Sequence, residues 1–214
     1  MDPKKLRETL GLFSTGVIIA CARRKNFLEE NFFSEKFFID KNLVGKFEEF
    51  WQNFLQENSF AKKFESKIST QNFLEKIKKI FAAEFFGMTI NSFTSVSLNP
   101  SLVSFCIDNK SANLKFFKKN RYFSLNVLSQ EQQGLATAFA TPRNSKKWGV
   151  EPYFFGQKGN PIFQNSLAFF ECKKHRVIKC GDHHIIIGEV LDCGKVNDAK
   201  PLIYYRGKFD SLNS

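Results

Sequence analysis

The residues best suited to chemistry lie in one run, Gly87-Met88-Thr89-Ile90-Asn91-Ser92-Phe93-Thr94-Ser95-Val96-Ser97-Leu98-Asn99-Pro100. Six of the nine residues from Thr89 to Ser97 carry a hydroxyl or an amide, and none is charged. Such a run is a ready hydrogen-bonding cradle. Hydroxyls, amides and turn N–H groups hold a phosphate and a polar ring without the desolvation cost of a buried lysine or arginine. The same pattern also reads as a Ser/Thr-rich turn between two strands. A second candidate is Cys180-Gly181-Asp182-His183-His184-Ile185-Ile186-Ile187-Gly188-Glu189-Val190, where a histidine pair opens an apolar strand just after a tight-turn dipeptide. Neighbouring strand residues point to opposite faces, so only one of the two histidines can face a given pocket. The bland reading is a solvent-facing or core-satisfied histidine. Metal binding fits poorly, because His175 is the only other histidine and no carboxylates surround the pair at ligand spacing.

Several familiar machines are missing. There is no G-x-G-x-x-G after a strand, no G-x-x-x-x-G-K-[ST], no H-E-x-x-H and no G-x-S-x-G. A Rossmann cofactor site, a P-loop, a zincin site and a hydrolase elbow therefore lose support, and any nucleotide must be held another way. The net charge of +11 suits an anionic ligand, nucleic acid or a nucleotide cofactor alike. Residues 24–85 hold 11 basic and 10 acidic side chains, so nearly all the excess lies outside them. The basic residues form no long run and match no nucleic-acid reader motif, which argues against nucleic acid as partner.

The elements that must position these residues can be read from periodicity. Leu6, Leu10 and Phe13 recur at helical spacing and suggest a first helix ending near Gly16; Val17–Ala22 then reads as a buried strand. From about 24 to 85 the pattern is helical, with Phe47, Phe50, Trp51, Phe54 and Leu55 and then Phe73, Leu74, Ile77, Ile80 and Phe81 at i, i+3, i+4, i+7 and i+8. Beyond residue 86 the signal is mostly β. Strand candidates are Met88–Asn91, Leu102–Ile107, Tyr122–Leu128, Leu167–Cys172, Ile185–Val190 and Leu202–Tyr205, interrupted by helical patterns near 111–119 and 130–140. Many strands without βαβ alternation argue for an antiparallel barrel. The 214 residues suit a single domain with an elaboration, and the 27 phenylalanines read as compositional drift that fills core positions. Five scattered cysteines, odd in number and never C-x-x-C, read as reduced thiols. No window reaches the roughly 18 apolar residues of a membrane span, and the N-terminal segment has no apolar core for export, so a soluble cytoplasmic protein is expected.

Taken together, these segments resemble the flavin reductase-like family. The resemblance runs through Thr15-Gly16-Val17, Gly87–Pro100, Ser124-Leu125-Asn126-Val127-Leu128-Ser129, Ala138-Phe139-Ala140, Glu171-Cys172, Gly181-Asp182-His183 with Gly188-Glu189-Val190, and Pro201–Gly207. It implies a mainly β fold: an antiparallel split β-barrel of Greek-key type with short flanking helices. It implies FMN, or FAD, as cofactor and NADH or NADPH as hydride source. Thr89, Asn91 and Ser92 would lie against the flavin phosphate and ribityl chain, with Phe93 beside them, and Ser95, Val96 and Ser97 would line the ring. Lys110 and Ser111 would add a cation and a hydroxyl on the phosphate side, next to a helix N-terminus that suits an anion. Phe139 and Ala140 would border the flavin, while Gly181 and Asp182 present His183, the expected catalytic residue, to the nicotinamide. Relatives usually pair as homodimers and often feed reduced flavin to a separate oxygenase.

One departure stands out. Relatives turn back quickly after the first strand, whereas this chain inserts a near-neutral helical segment at about 24–85, expected to act as a lid or interface cap within a single domain of residues 1–214. The leading reading is an NAD(P)H:flavin oxidoreductase. A flavin-binding redox carrier without free reductase turnover would carry the same flavin motifs, and closure of nicotinamide access by the insert would favour it.

Overall fold

The computed structural model describes residues 2–23, 85–142, 144 and 147–212. The chain divides into two units, one of Met1–Lys25 with Phe85–Ser214 and one of Asn26–Glu84. The helical segment expected at about 24–85, and the lid or interface cap expected of it, lie outside the described residues except at Phe85, which opens a strand instead.

The first helix, α1 (Pro3–Leu10), starts where Asp2 accepts from the Lys4 N–H at 2.9 Å with proline in the first turn. It ends at Gly11, not near Gly16, and leaves Phe13 outside the helix and 77% exposed. None of its residues is buried. Two short strands follow, β1 (Thr15–Gly16) and β2 (Ile18–Arg23). Next come β3 (Phe85–Ile90), β4 (Thr94–Leu98), β5 (Ser101–Asp108), α2 (Leu114–Lys119) and β6 (Tyr122–Val127). A 3₁₀ turn, Gln130–Gln132, leads into α3 (Gln133–Ala140), and a second one covers Lys147–Gly149. The chain finishes with β7 (Tyr153–Phe155), β8 (Pro161–Phe163), β9 (Ala168–Cys180), β10 (His183–Lys195), β11 (Leu202–Tyr205) and β12 (Lys208–Ser211).

Seven strands form one antiparallel sheet in the order β3-β2-β6-β9-β10-β5-β4. Its two edge strands, β3 and β4, are consecutive in sequence and joined by only Asn91–Phe93, so the sheet must curl until its edges meet at that link. Those edges do not pair, and the expected barrel is split there. Two small sheets flank it, β1-β11-β12 and β7-β8.

Alternation fills the inside of the curl with Ile18, Ala20 and Ala22 from β2, Phe86 and Ile90 from β3, Val103, Phe105 and Ile107 from β5, and Phe123 and Leu125 from β6. Helix α2 supplies Leu114 and Phe117, whose ring meets Phe105 and Phe123 edge-on at 5.4 and 6.1 Å. A second aromatic layer covers the other face of β3, where Phe85, Phe139, Trp148, Tyr153 and Phe163 pack with centroids 4.8 to 6.1 Å apart. With both faces covered, β2 is buried at every position but its last. The buried Glu171 carboxylate is matched by the Lys158 N–H at 2.9 and 3.0 Å and the Asn160 amide at 3.1 Å, which lock the β7–β8 turn onto β9.

Strands β9 and β10 are each 13 residues long, well beyond the stretches expected at Leu167–Cys172 and Ile185–Val190. They form one hairpin that closes at Cys180↔His183. Gly181, with φ of 59°, occupies the first of its two turn residues, where type II′ hairpins take glycine. His184 points inward and is 8% exposed. Burial, followed by the nearby Lys118 and Lys179 ammonium groups, holds its imidazole below the ordinary histidine range.

Two outcomes follow for stability. A methyl group at Gly188 would meet the Phe123 ring at 2.5 Å and Cys172 Cβ at 3.0 Å, so Gly188→Ala should cost about 1–3 kcal/mol, read as a lower denaturant midpoint. Because His184 is harder to protonate folded than unfolded, the unfolded chain takes up more protons as pH falls through about 6.5. Stability present above that pH should therefore be lost on acidification, and His184→Gln should flatten the slope of denaturant midpoint against pH between about 7.5 and 5.5.

Candidate functional site

The uncharged run is spread over three local structures. Thr89 stands on β3 and donates its hydroxyl to the Ala136 carbonyl at 2.6 Å, tying α3 to the strand. Asn91, Ser92 and Phe93 form the link. Asn91 is exposed, and Phe93 is half-buried against Phe170 with centroids 5.5 Å apart. The Ser92 hydroxyl accepts from the Cys106 N–H at 3.0 Å and donates to the Cys106 carbonyl at 3.4 Å. It thereby extends the β4–β5 ladder, which ends at Thr94↔Ser104, by one side-chain step. Thr94–Leu98 is an edge strand rather than a turn, with Ser95 and Val96 exposed, Ser97 half-buried and a register shift between Ser95 and Ser97. These three run away from the link along β5, so the structure does not gather them with Asn91.

At the far end of β5 two further segments meet. The Asp108 carboxylate accepts from the Lys110 N–H at 2.7 Å and its carbonyl accepts from the Ser111 N–H at 2.9 Å, folding the Asn109–Asn113 connection back on itself. Ser111 reaches β3, its hydroxyl donating to the Met88 sulfur at 3.9 Å. Helix α2 starts only at Leu114 and is six residues long, so the cation and hydroxyl, rather than a helix end, are what this connection offers an anion. Across the ladder His183 pairs with Asp108. Its Nδ1 lies 2.7 Å from Asp182 Oδ1. That hydrogen bond, and then the histidine's charge, hold the exposed Asp182 carboxyl below the usual carboxylate range, with Lys110 adding a smaller pull. His184 faces the other way, its Nδ1 2.7 Å from Asn109 Oδ1, so the two histidines divide as alternation requires. Lys110, Ser111, Gly181, Asp182 and His183 thus converge at one end of the sheet, a few residues along β5 from Ser92.

On the α3 side a cleft of about 230 Å³ is lined by Val17, Thr89, Ile90, Asn91, Ala140, Tyr204 and Phe209. It brings Thr89, Asn91 and Ala140 together. Phe139 is not among them: its ring is 3% exposed, beneath Trp148 and Phe163 and under the Lys147 ammonium. Lys147 also donates to the Gly87 carbonyl of β3 at 2.8 Å. Tyr204 and Phe209, in edge-on contact at 5.7 Å, are lining residues that the sequence reading left without a role. The only signal is for Tyr204, in the aromatic-glycine run Tyr204-Tyr205-Arg206-Gly207 of the last matched segment; Phe209 lies just beyond it.

The arrangement fits a flavin nucleotide. An uncharged link, an apolar and aromatic cleft sharing Asn91 with it, and a cation with a hydroxyl nearby are what a planar ring with a phosphate tail requires. The cleft is smaller than the roughly 300–1,000 Å³ of pockets that enclose a whole ligand, so the tail must lie outside it. No group of three or more potential metal ligands occurs among the described residues.

Known proteins point the same way. A flavin reductase of Pseudomonas putida is 37% identical over 123 residues, 58% of this chain and 72% of its own length. An FMN reductase (NADH) of Agrobacterium fabrum is 37% identical over 123 residues, 58% of this chain and 69% of its own. Other relatives are named as reductase subunits or components of flavin-dependent monooxygenases. A probable flavin reductase of Rhizobium meliloti, 41% identical over 104 residues, is matched over only 33% of its own length. Among solved structures, the flavin reductase HpaC complexed with NADP+ superposes with a TM-score of 0.66 at 25% identity, covering 99% of this chain and 98% of that one. The flavin reductase like domain is matched by residues 78–213, more than half of the chain, and holds both the uncharged link and the Gly181-Asp182-His183 turn; the chain belongs to that family.

Proposed function

We propose that this protein is an NAD(P)H-dependent flavin reductase. The observation that carries the reading is the convergence of three segments at the split of the sheet: the uncharged link Asn91–Phe93, the Lys110–Ser111 connection and the turn that presents His183. When bound, flavin supplies the chemistry, taking a hydride from a reduced nicotinamide and passing the electrons on. The chain's own work is to bind and orient. Asn91 offers an amide donor and acceptor at the mouth of the cleft. Lys110 and Ser111 give the phosphate a cation and a hydroxyl. His183, steadied by Asp182, projects a ring nitrogen from the turn toward a nicotinamide. Thr89 and Ser92 keep their hydroxyl protons on Ala136 and Cys106 and shape the cradle through those bonds.

A second copy of the chain is part of this reading. Val96 and Leu98 on the edge strand are 48% and 91% exposed, and Leu10, Leu12 and Phe13 are 62%, 56% and 77% exposed, apolar surface that a homodimer would cover. All five cysteines are free, which suits a reducing, cytoplasmic setting. No described helix is long and apolar enough to cross a membrane. Relatives named as reductase components of monooxygenases favour a separate oxygenase as consumer of the reduced flavin.

The test is to mix purified protein with NADH or NADPH and with FMN or FAD in turn, and to follow loss of the nicotinamide absorbance. Turnover with at least one pair is expected; flavin held but silent toward both nicotinamides would instead mark a redox carrier. Two variants probe the parts. His183→Ala should raise the KM for the nicotinamide about tenfold, the effect of losing one charge-assisted hydrogen bond. Lys110→Ala should weaken FMN about tenfold while leaving riboflavin, which has no phosphate, unchanged in a fluorescence titration.

A further inference from the structure

Asn109 belongs to no motif, yet it makes three hydrogen bonds to one short stretch of chain. Its N–H donates to the Asp182 carbonyl at 2.9 Å and its side-chain amide donates to the Gly181 carbonyl at 3.2 Å. Its side-chain oxygen lies 2.7 Å from His184 Nδ1. His184 is buried and held below the ordinary histidine range, so it is neutral near pH 7, and Asn109 Oδ1 can only accept from it, which fixes the imidazole proton on Nδ1. The side chain thus uses a donor and an acceptor at once. Leucine offers neither and aspartate has no donor.

The stretch it grips runs through Gly181, Asp182 and His184, on both sides of His183. A two-residue turn at the tip of a hairpin with Lys179 and Cys180 exposed has few apolar contacts to fix its position. By contrast, the neighbouring Asp108 turns its carboxylate and carbonyl the other way, to the Lys110 and Ser111 N–H groups. Two successive residues therefore hold two different parts of the site.

We infer that Asn109 is a positioning residue for the nicotinamide side of the site, fixing the Gly181–His183 turn, while Asp108 independently shapes the phosphate side. This rests on the reductase reading above. In this role Asn109 acts through the turn that carries His183.

The test compares Asn109→Ala, Asn109→Asp and Asp108→Ala in the full chain. In flavin-free protein, amide hydrogen exchange at position 109, whose N–H is given to Asp182, and at His183 should quicken about tenfold in both Asn109 variants, with Lys110 and Ser111 unchanged. Asp108→Ala should quicken exchange at Lys110, whose N–H loses the carboxylate, and leave position 109 and His183 unchanged. With saturating FMN, both Asn109 variants should raise the KM for NADH about tenfold with kcat within about twofold and FMN affinity unchanged, whereas Asp108→Ala should weaken FMN and spare the NADH KM. Asn109→Asp keeps the acceptor for His184 and so guards against a variant that merely fails to fold. Wild-type turnover with no change in exchange or NADH KM in the Asn109 variants would overturn this inference alone. A wild-type protein that does not oxidise NADH with any flavin would overturn the reductase reading with it.

Discussion

The structure depends on a constraint of connectivity. Strands β3 and β4 follow one another with three residues between them, yet each pairs with a strand at the opposite end of the sheet order. Three residues span at most about 10 Å, so the seven-stranded sheet has to close on itself as far as that reach allows. It stops short of a complete barrel because β4 leaves β5 after Thr94↔Ser104 and the Ser92 hydroxyl takes over the next rung. A hydroxyl can occupy a rung without continuing a strand. That substitution keeps the backbone of Cys106 satisfied while leaving a gap between the edges, and the link Asn91–Phe93 of the candidate site lies at that gap.

Around the gap, polar groups are held by short-range bonds to backbone, while the aromatic layers behind them supply rigidity. Thr89 is pinned by α3, Ser92 by β5, the Lys110–Ser111 connection by Asp108 and the histidine turn by Asn109. Each bond fixes one segment relative to the sheet, and the sheet is fixed by a Phe-rich core packed edge to face. Charge is scarce where the ring would rest and present where the tail would go. That distribution suits a ligand whose one end is planar and neutral and whose other end is anionic.

Much of this was legible in the residues. Strands β2, β5, β6 and β11 announce themselves by apolar runs or alternation, because one or both faces are buried. The outer half of the β9–β10 hairpin is silent: Lys173–Cys180 is largely exposed and held by ladder bonds to β10, so no burial pattern marks it. Strands β7, β8 and β12, three or four residues each, are too short to show a period. Strand β4 looks like a turn because its serines and threonine lie on an exposed edge. Within the candidate site, motif order singled out the link, the Lys110–Ser111 connection and the histidine turn, which the structure brings to one end of the sheet. It could not tell that Phe139 points into the core while Ala140 opens on the cleft, since adjacency along a helix says nothing about which side is solvated. Tyr204 and Phe209 escaped because a separate small sheet brings them in, and Asn109 escaped because its role is visible only through its partners.

The place where the chain departs from its first unit also bears on how such a protein can change over generations. Arg23 and Phe85 are paired neighbours on β2 and β3, five rungs, or about 17 Å, from the Ile18↔Ile90 pair beside the cleft. Whatever lies between them begins and ends at one rung of an existing ladder, so it can be lengthened, shortened or exchanged as a cassette without moving the register of either strand. A socket at the end of the β2–β3 ladder opposite the Ile18↔Ile90 pair lets a scaffold acquire new sequence without displacing the rungs that carry Thr89 and Ile90.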